Sequence, residues 1–399
     1  MPRDGQIAPN CYDAEPIPPE ARAEIEALLH SGDLFRYTSE ASPVARLEDA
    51  FANAMGSRFA VAVSSCSQAL FLSLKALDLP RDARVLVPAF TFAAVPSAIV
   101  HADCTPVLVE VGRDMRIDLA DFRDKLAQGA EAILISHMRG HTSDMDAILA
   151  LAKAHDLPVI EDAAHSLGTL WHGRKIGTLG HIGCFSFQSY KLLNAGEGGI
   201  LITDDPDLAA RAAIMSGAYE QNWKKHPRLD AHAQHWQNRL PLYNCRMQNL
   251  SAAVLLPQIA HIATRASQGL KNHDYVARVL DRTRWLSVPQ ALAPETRAPD
   301  SLQFNLCGPW SDAQAHMFLQ ICKARGVSVS IFGLSEGNAR AFWNWGFLPE
   351  NHDLPRTRAM LCRACDIRLP ARLSESELDY IADTISDAAA QVQSPHAQL

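Results

Sequence analysis

No stretch of this 399-residue chain is apolar for long enough to span a bilayer. The longest apolar runs, ILISHM and RVLVPAFTFAAVPSAIV, are broken by proline or polar residues. The start, MPRDGQIAPNCYDAEPIPPE, is polar and proline-rich and lacks the apolar core of a secretory leader. Positive charge is not in surplus. The formal charge of −7 gives no general attraction to nucleic acid or to an anionic membrane, so neither is expected as a partner. There is no internal repeat and no long low-complexity tract.

Paired metal-ligand motifs are missing too. Cys362 and Cys365 form a CxxC pair, but no second pair or paired histidines lie nearby, so they read as packing residues and no metal is expected. Nine cysteines is an odd number, and most sit inside apolar segments. That suits reduced thiols in a cytoplasmic protein better than a disulfide framework. The composition, 48% hydrophobic and 20% charged, is that of a globular protein with a large core. The length allows two or three domains.

What is present is a regular alternation. Helical spacing is expected over residues 17–30, 43–55, 66–79, 93–102 and 145–156. Short apolar strands are expected at 59–65, 83–90, 105–111 and 132–138, and again at LPVIEDAA and GCFSF. Strand–helix alternation of this kind predicts an α/β fold with a mostly parallel sheet. Residues 217–250 show little periodicity and read as a long functional loop. A helix from 251 to about 280 reads as a connector, followed from 285 by a smaller α+β unit. The expected division is therefore 1–250 (an N-terminal arm and a large α/β domain), 251–284 (connecting helix) and 285–399.

The densest chemistry lies between Val159 and Gly199. There an acidic pair at a strand end, a serine, a lysine and a glycine cluster fall in one short span. Pyridoxal 5'-phosphate (PLP) needs such a set: a lysine amine for its Schiff base, an anion facing its ring nitrogen and donors for its phosphate. Asp162 stands just beyond a strand's C-terminal end, where open α/β sheets bind ligands. Strand geometry sends Glu161 and Asp162 to opposite sides, so only one is expected to face a cofactor.

The ordered motifs VAVSSCSQAL, VPAFTFAAVPSAI, DMDAI, VIEDAAHSLG, GCFSFQSYKLLNAGEGG and YNCRMQNLSAAV resemble those of the DegT/DnrJ/EryC1/StrS family. The resemblance runs over nearly the whole chain. It implies a fold-type-I PLP transferase, with a large domain built on a seven-stranded-type sheet and a smaller C-terminal α+β domain. By the same resemblance Lys191 carries the Schiff base and then moves the proton, and Asp162 pairs with the ring nitrogen. Ser186, Ser67 and Gln68 serve the phosphate, Phe92 stacks on the ring, and Asn244 reaches the cofactor of a neighbouring subunit in a homodimer with shared active sites. His165 stands where relatives carry glutamine near the phenolic oxygen; it reads either as a donor there or as a structural histidine. Cys66 replaces the usual glycine of the phosphate turn, and either narrows the pocket or packs.

The activity implied is a ping-pong aminotransferase. Glutamate or glutamine would donate the amino group to a keto-sugar, cyclitol or related small ketone. The same fold also supports elimination or cyclisation of an amino-acid-like substrate, and a non-catalytic PLP-binding regulator is a third reading. Arg139 stands where an uncharged residue is expected, and IFGLSEGNARAFWNWGFL departs from the family's C-terminal pattern. Arg340, Trp343 and Trp345 could together build a compact pocket for a small keto acid. The plain alternative is a solvated arginine and two core aromatics.

Overall fold

The computed structural model describes residues 8–229, 231–348 and 352–394. Residues 1–7 of the proline-rich start and 395–399 of the expected C-terminal unit lie outside the described residues. The chain opens with helices α1 (Ala21–Ser31) and α2 (Pro43–Met55). Then come β1 (Phe59–Val63), α3 (Cys66–Ala76), β2 (Arg84–Pro88), α4 (Ala94–His101) and β3 (Thr105–Val109). Next are α5 (Leu119–Ala127), β4 (Ala132–Ser136), α6 (Met145–Ala154) and β5 (Val159–Asp162). The short β6 (Leu170–Trp171) and β7 (Arg174–Lys175) lead to β8 (Ile182–Ser186), β9 (Gly199–Thr203), α7 (Pro206–Met215) and α8 (Ala231–Trp236). After α9 (Asn249–Leu255) and α10 (Ile262–Leu280) come β10 (Leu286–Ser287), β11 (Glu295–Thr296) and β12 (Ser301–Leu306). The last elements are α11 (Asp312–Ala324), β13 (Ser330–Ile331), α12 (Pro355–Leu361), β14 (Ala364–Arg368) and α13 (Glu375–Gln393).

Local chemistry explains the helix boundaries. α2 starts where Ser42 accepts the Ala45 amide and Pro43 fills the first turn, and it stops at Gly56 with φ of 77°. Ser65 caps α3 by accepting the Gln68 amide at 3.2 Å, and Asp144 caps α6 by accepting the Ala147 amide at 3.0 Å. The expected helix over 251–280 is broken into α9, a 3-10 turn (Leu256–His261) and α10. Pro257 lies in that turn; it has no N–H to give and crowds the preceding carbonyl, so the α-helical ladder cannot run through. The 217–250 segment is mostly loop, as expected. It also holds a 3-10 turn (Asn222–Lys225) and α8, and Arg246 bridges to Val63.

Seven strands form the main sheet in the order β1-β9-β8-β5-β4-β2-β3. Strands β8, β5, β4, β2 and β3 run parallel, while β9 runs antiparallel to both its neighbours. This is the expected α/β sheet, with one strand unforeseen. β9 begins within the GEGG run, which reads as a turn. Gly199 is required there: a Cβ would stand 2.3 Å from the Ser65 carbonyl carbon and 2.4 Å from the Cys66 nitrogen, so the start of α3 could not lean on the sheet.

Period-two alternation sorts the strand side chains onto two faces. Val85, Val87, Leu134 and Ile160 join one core, and Leu86, Ile133, Ile135 and Val159 join the other. Each buried aliphatic side chain of this kind contributes about 2 kcal/mol. A four-stranded antiparallel sheet, β10-β12-β14-β13, has its own core, which includes Phe304, Phe318, Ile367 and Ile381. The short strands β11, β6 and β7 form a third sheet.

On β5 the alternation puts Glu161 and Asp162 on opposite faces. Glu161 is fully buried. It accepts from the amides of Gly177 (2.9 Å), Leu179 (2.7 Å) and Gly180 (2.6 Å) and lies 3.1 Å from His137 Nε2. Burial opposes its charge, but the His137 contact and the backbone donors outweigh it and hold the carboxyl below the ordinary range. Glu161→Gln replaces an acceptor-only group with one that points an NH2 at these donors. The variant should lose about 2–4 kcal/mol of stability at neutral pH. Because the folded value is depressed, the difference should shrink as pH falls below about 4 and the native carboxylate takes up its proton. Urea unfolding at the two pH values checks both statements.

Candidate active site

A cavity of about 520 Å³ opens at the C-terminal ends of the main-sheet strands. Lys191, Asp162, His165, Ser186, Ser67 and Phe92 all line it. β5 ends on Asp162, β8 ends on Ser186, and α3 begins at Cys66 beside Ser67. Parallel strands feeding helices leave such a crevice at their carboxyl ends.

Asp162 is buried and held from two sides. Ser136 Oγ, at the end of the neighbouring strand β4, donates to Oδ2 at 2.6 Å, and the Ala164 amide donates to Oδ1 at 3.1 Å. Thr91 Oγ1 in turn donates to Ser136 Oγ at 2.9 Å. Cys66 Sγ lies 4.0 Å from Asp162 Oδ1, and burial followed by the Asp162 charge pushes its thiol well above the ordinary value. Cys66 therefore lines the pocket floor as an inert thiol. Gly199 lets the Ser65–Cys66 backbone sit close against the sheet, since a Cβ there would meet both residues.

Lys191 Nζ lies 2.7 Å from His165 Nε2. Burial lowers the amine to about 8; Asp300 opposes the shift and Arg139 adds to it. Burial and then the Lys191 charge push His165 down to about 3, so the imidazole is neutral. Asp300 stands 3.7 Å from His165 Nδ1. Burial raises its carboxyl, but His165, Arg139 and Lys191 outweigh this and keep it ionised. A lysine amine poised near neutrality suits nucleophilic attack on a carbonyl. Phe92 is 43% exposed into the cavity, so a flat ring can lie on its face.

Two expected residues do not line this cavity. The Gln68 amide is taken by the Ser65 cap, and its side chain accepts from Ser64 Oγ. Asn244 is exposed, on a segment pinned by its neighbours: the Ser64 amide donates to the Cys245 carbonyl at 2.9 Å, and Arg246 stacks on Phe35 and Tyr219.

Of the C-terminal trio, Arg340 lines the cavity and is half-buried. Trp345 is buried in the core, with Nε1 donating to the Ala339 carbonyl, and Trp343 packs under Arg358. The two tryptophans are core aromatics and do not wall the pocket. Arg139 does line it, in a left-handed backbone conformation (φ 56°, ψ 28°) that costs a non-glycine residue about 1–2 kcal/mol.

Asp300, Asp366 and Arg368 were not foreseen. Asp366 and Arg368 occupy alternate positions of β14, so both face one side of an otherwise apolar strand (ACDIR). That pattern of buried charge was the signal available in the sequence.

The profile of the DegT/DnrJ/EryC1/StrS aminotransferase family matches residues 17–386. The chain belongs to this family. The family's cofactor is pyridoxal 5'-phosphate, and solved structures of this fold include PLP and pyridoxamine-phosphate forms. The spore coat polysaccharide biosynthesis protein SpsC of Bacillus subtilis is 34% identical over 254 residues, covering 63% of this chain and 64% of SpsC. GDP-perosamine synthase of Caulobacter vibrioides is 34% identical over 229 residues, covering 56% of this chain and 58% of that protein. The matched stretch thus spans less than two thirds of each of these curated relatives. The aminotransferase of Psychrobacter cryohalolentis superposes with a TM-score of 0.82 at 25% identity, over 96% of this chain and all of that one. The DegT family cofactor is suited by what the pocket holds: a part-buried amine, a fixed carboxylate at a strand end, an exposed ring face and two hydroxyls near a helix start.

Two outcomes are expected. On the expectation that the neutral Lys191 amine is the reactive form, the protein stripped of cofactor should take it up roughly ten times faster at pH 9 than at pH 7, levelling off above 9. Stopped-flow absorbance measures this, and a rate still climbing steeply beyond pH 9.5 would contradict the lowered value. Asp162→Asn should retain cofactor but lose turnover by about a hundredfold or more. Near-normal kcat in that variant removes Asp162 from its role.

Proposed function

We propose that the protein is a PLP-dependent aminotransferase of biosynthesis, moving an amino group from glutamate or glutamine to a small ketone of the keto-sugar or cyclitol kind. The observation that carries this reading is the part-buried Lys191 amine, lowered to about 8 and set 2.7 Å from a neutral imidazole. When bound, PLP supplies an electron sink for the carbon that bears the amino group. Lys191 Nζ would hold the cofactor through its aldehyde carbon and would serve as the group that takes up and returns a proton. Asp162, fixed by Ser136, would face the ring nitrogen and favour its protonated form. Ser67 and Ser186 would hold the phosphate near the start of α3, where the helix end favours an anion. Phe92 would cover one ring face and keep water off it. His165 would support the amine and the phenolic oxygen.

Asn244, exposed beside the start of α3, is assigned to the cofactor phosphate of a second copy, which makes the working unit a homodimer. The printed names of SpsC and GDP-perosamine synthase favour sugar-type chemistry. The nine cysteines are all free and mostly buried, which suits a reducing, cytoplasmic setting. No helix among the described residues is long and apolar enough to cross a membrane.

The test is the visible spectrum of the purified protein before and after L-glutamate or L-glutamine. A yellow band that bleaches with one of them is expected, and it identifies the donor. A band indifferent to every amino donor tried would sink the aminotransferase reading.

A further inference from the structure

Three arginines line the one cavity. Arg139 comes from the turn after β4, Arg340 from the segment before α12, and Arg368 from β14. Arg139 is 9% exposed and Arg368 is 7% exposed, so neither is a solvated surface cation. Their polar atoms are under-used. Arg139 Nε, Arg340 Nε, and Arg368 Nε and Nη1 are buried and have no hydrogen-bond partner among the described residues. Buried donors left unpaired are costly, and a site that tolerates several of them is built for an acceptor.

The fixed charges do not balance. Arg139 Nη2 pairs with Asp366 Oδ2 at 3.0 Å, and Asp366 Oδ1 also accepts from Gln303 Nε2 at 2.5 Å. Arg340 and Arg368 line the same cavity, and neither has a carboxylate partner among the described residues. Arg340 lies over Phe92 and Phe332, at 5.4 and 5.1 Å from their centroids, and Arg368 lies over Tyr190 at 4.8 Å while donating to the Tyr190 carbonyl. Stacked planar forks of this kind are pre-set for bidentate contact with a carboxylate. Glu197 also lines the cavity but is exposed, where water screens it. On the other side, Lys191 is balanced by Asp300, and the cofactor's phosphate would be held by Ser67 and Ser186. Two positive charges therefore await a ligand. The cavity of about 520 Å³ must take both cofactor and substrate.

Resting on the aminotransferase reading, we infer that the ketone this enzyme aminates is a small carboxylate-bearing molecule, seated with its acid groups on Arg139, Arg340 and Arg368, and is not a nucleotide-linked sugar. The same seat receives the acid groups of the amino donor, because both substrates of a ping-pong cycle visit one site.

The test uses glutarate, a dicarboxylate with no group to react, titrated calorimetrically into both the cofactor-loaded and the stripped protein. UDP serves as the probe for nucleotide binding. Glutarate is expected to bind in both forms. Arg340→Gln and Arg368→Gln should each weaken it at least tenfold without changing the visible band of the bound cofactor. Arg340 is half-buried, so its variant keeps the test decisive if Arg368→Gln fails to fold. Glutarate affinity unchanged in both variants, or UDP binding as tight as glutarate's, overturns the inference. The two proposals fail separately. If glutarate binds through these arginines but no amino donor bleaches the cofactor, the aminotransferase reading falls and the acid seat stands. If a donor bleaches the cofactor but glutarate does not bind, the reverse holds.

Discussion

The burial of Glu161 is the constraint on which the site depends. An ionised carboxylate in the core is tolerated only because His137 and three backbone amides surround it. Those amides belong to the turn between β7 and β8, so one side chain fixes the end of β5 and the entry to β8 together. With Glu161 locked on one face, period-two geometry leaves Asp162 no choice but the other. Ser136 then meets Asp162 directly, because β4 and β5 run in register with these two residues as partners. The carboxylate that faces the cavity is thus aimed by a carboxylate that never sees it.

Much of this was legible from the residues alone. The strand–helix alternation led to the mostly parallel sheet, and one short segment held Asp162, His165, Ser186 and Lys191, which the fold gathers at one cavity. Local signals sufficed there because strand ends converge by topology. β9 escaped notice because it begins with a glycine whose job, clearing the start of α3, depends on a residue more than 130 positions away. Pro257 interrupts the expected 251–280 helix, a break that a single proline in an otherwise helical spacing is enough to cause. Asp300 acts on Lys191, Asp366 pairs with Arg139 and Arg368 meets Tyr190, across sheets that only the folded chain brings together. Gln68 and Asn244 rested on resemblance, and the geometry leaves both outside this chain's own cavity.

The electrostatics divide the pocket into two halves with different logic. Around Lys191 and His165, burial works against charge, and both groups shift toward their neutral forms. Around the arginines, burial meets groups that stay charged; Arg340 is lowered only to about 10, by burial and by its neighbour Arg139. An amine and an imidazole shifted toward their neutral forms and a wall of guanidinium groups thus sit side by side.

The Arg139–Asp366 pair has a mechanical consequence. Arg139 follows a strand of the main sheet and Asp366 lies on a strand of the smaller one, so the pair is also a rivet between the two layers. His141 to Gln303 and Arg368 to the Tyr190 carbonyl are fastened across the same seam. The wall that would greet an incoming acid is therefore the joint itself. Any swing of the smaller layer away from the larger one would pull the guanidinium fork apart, so opening the door and dismantling the lock are a single movement.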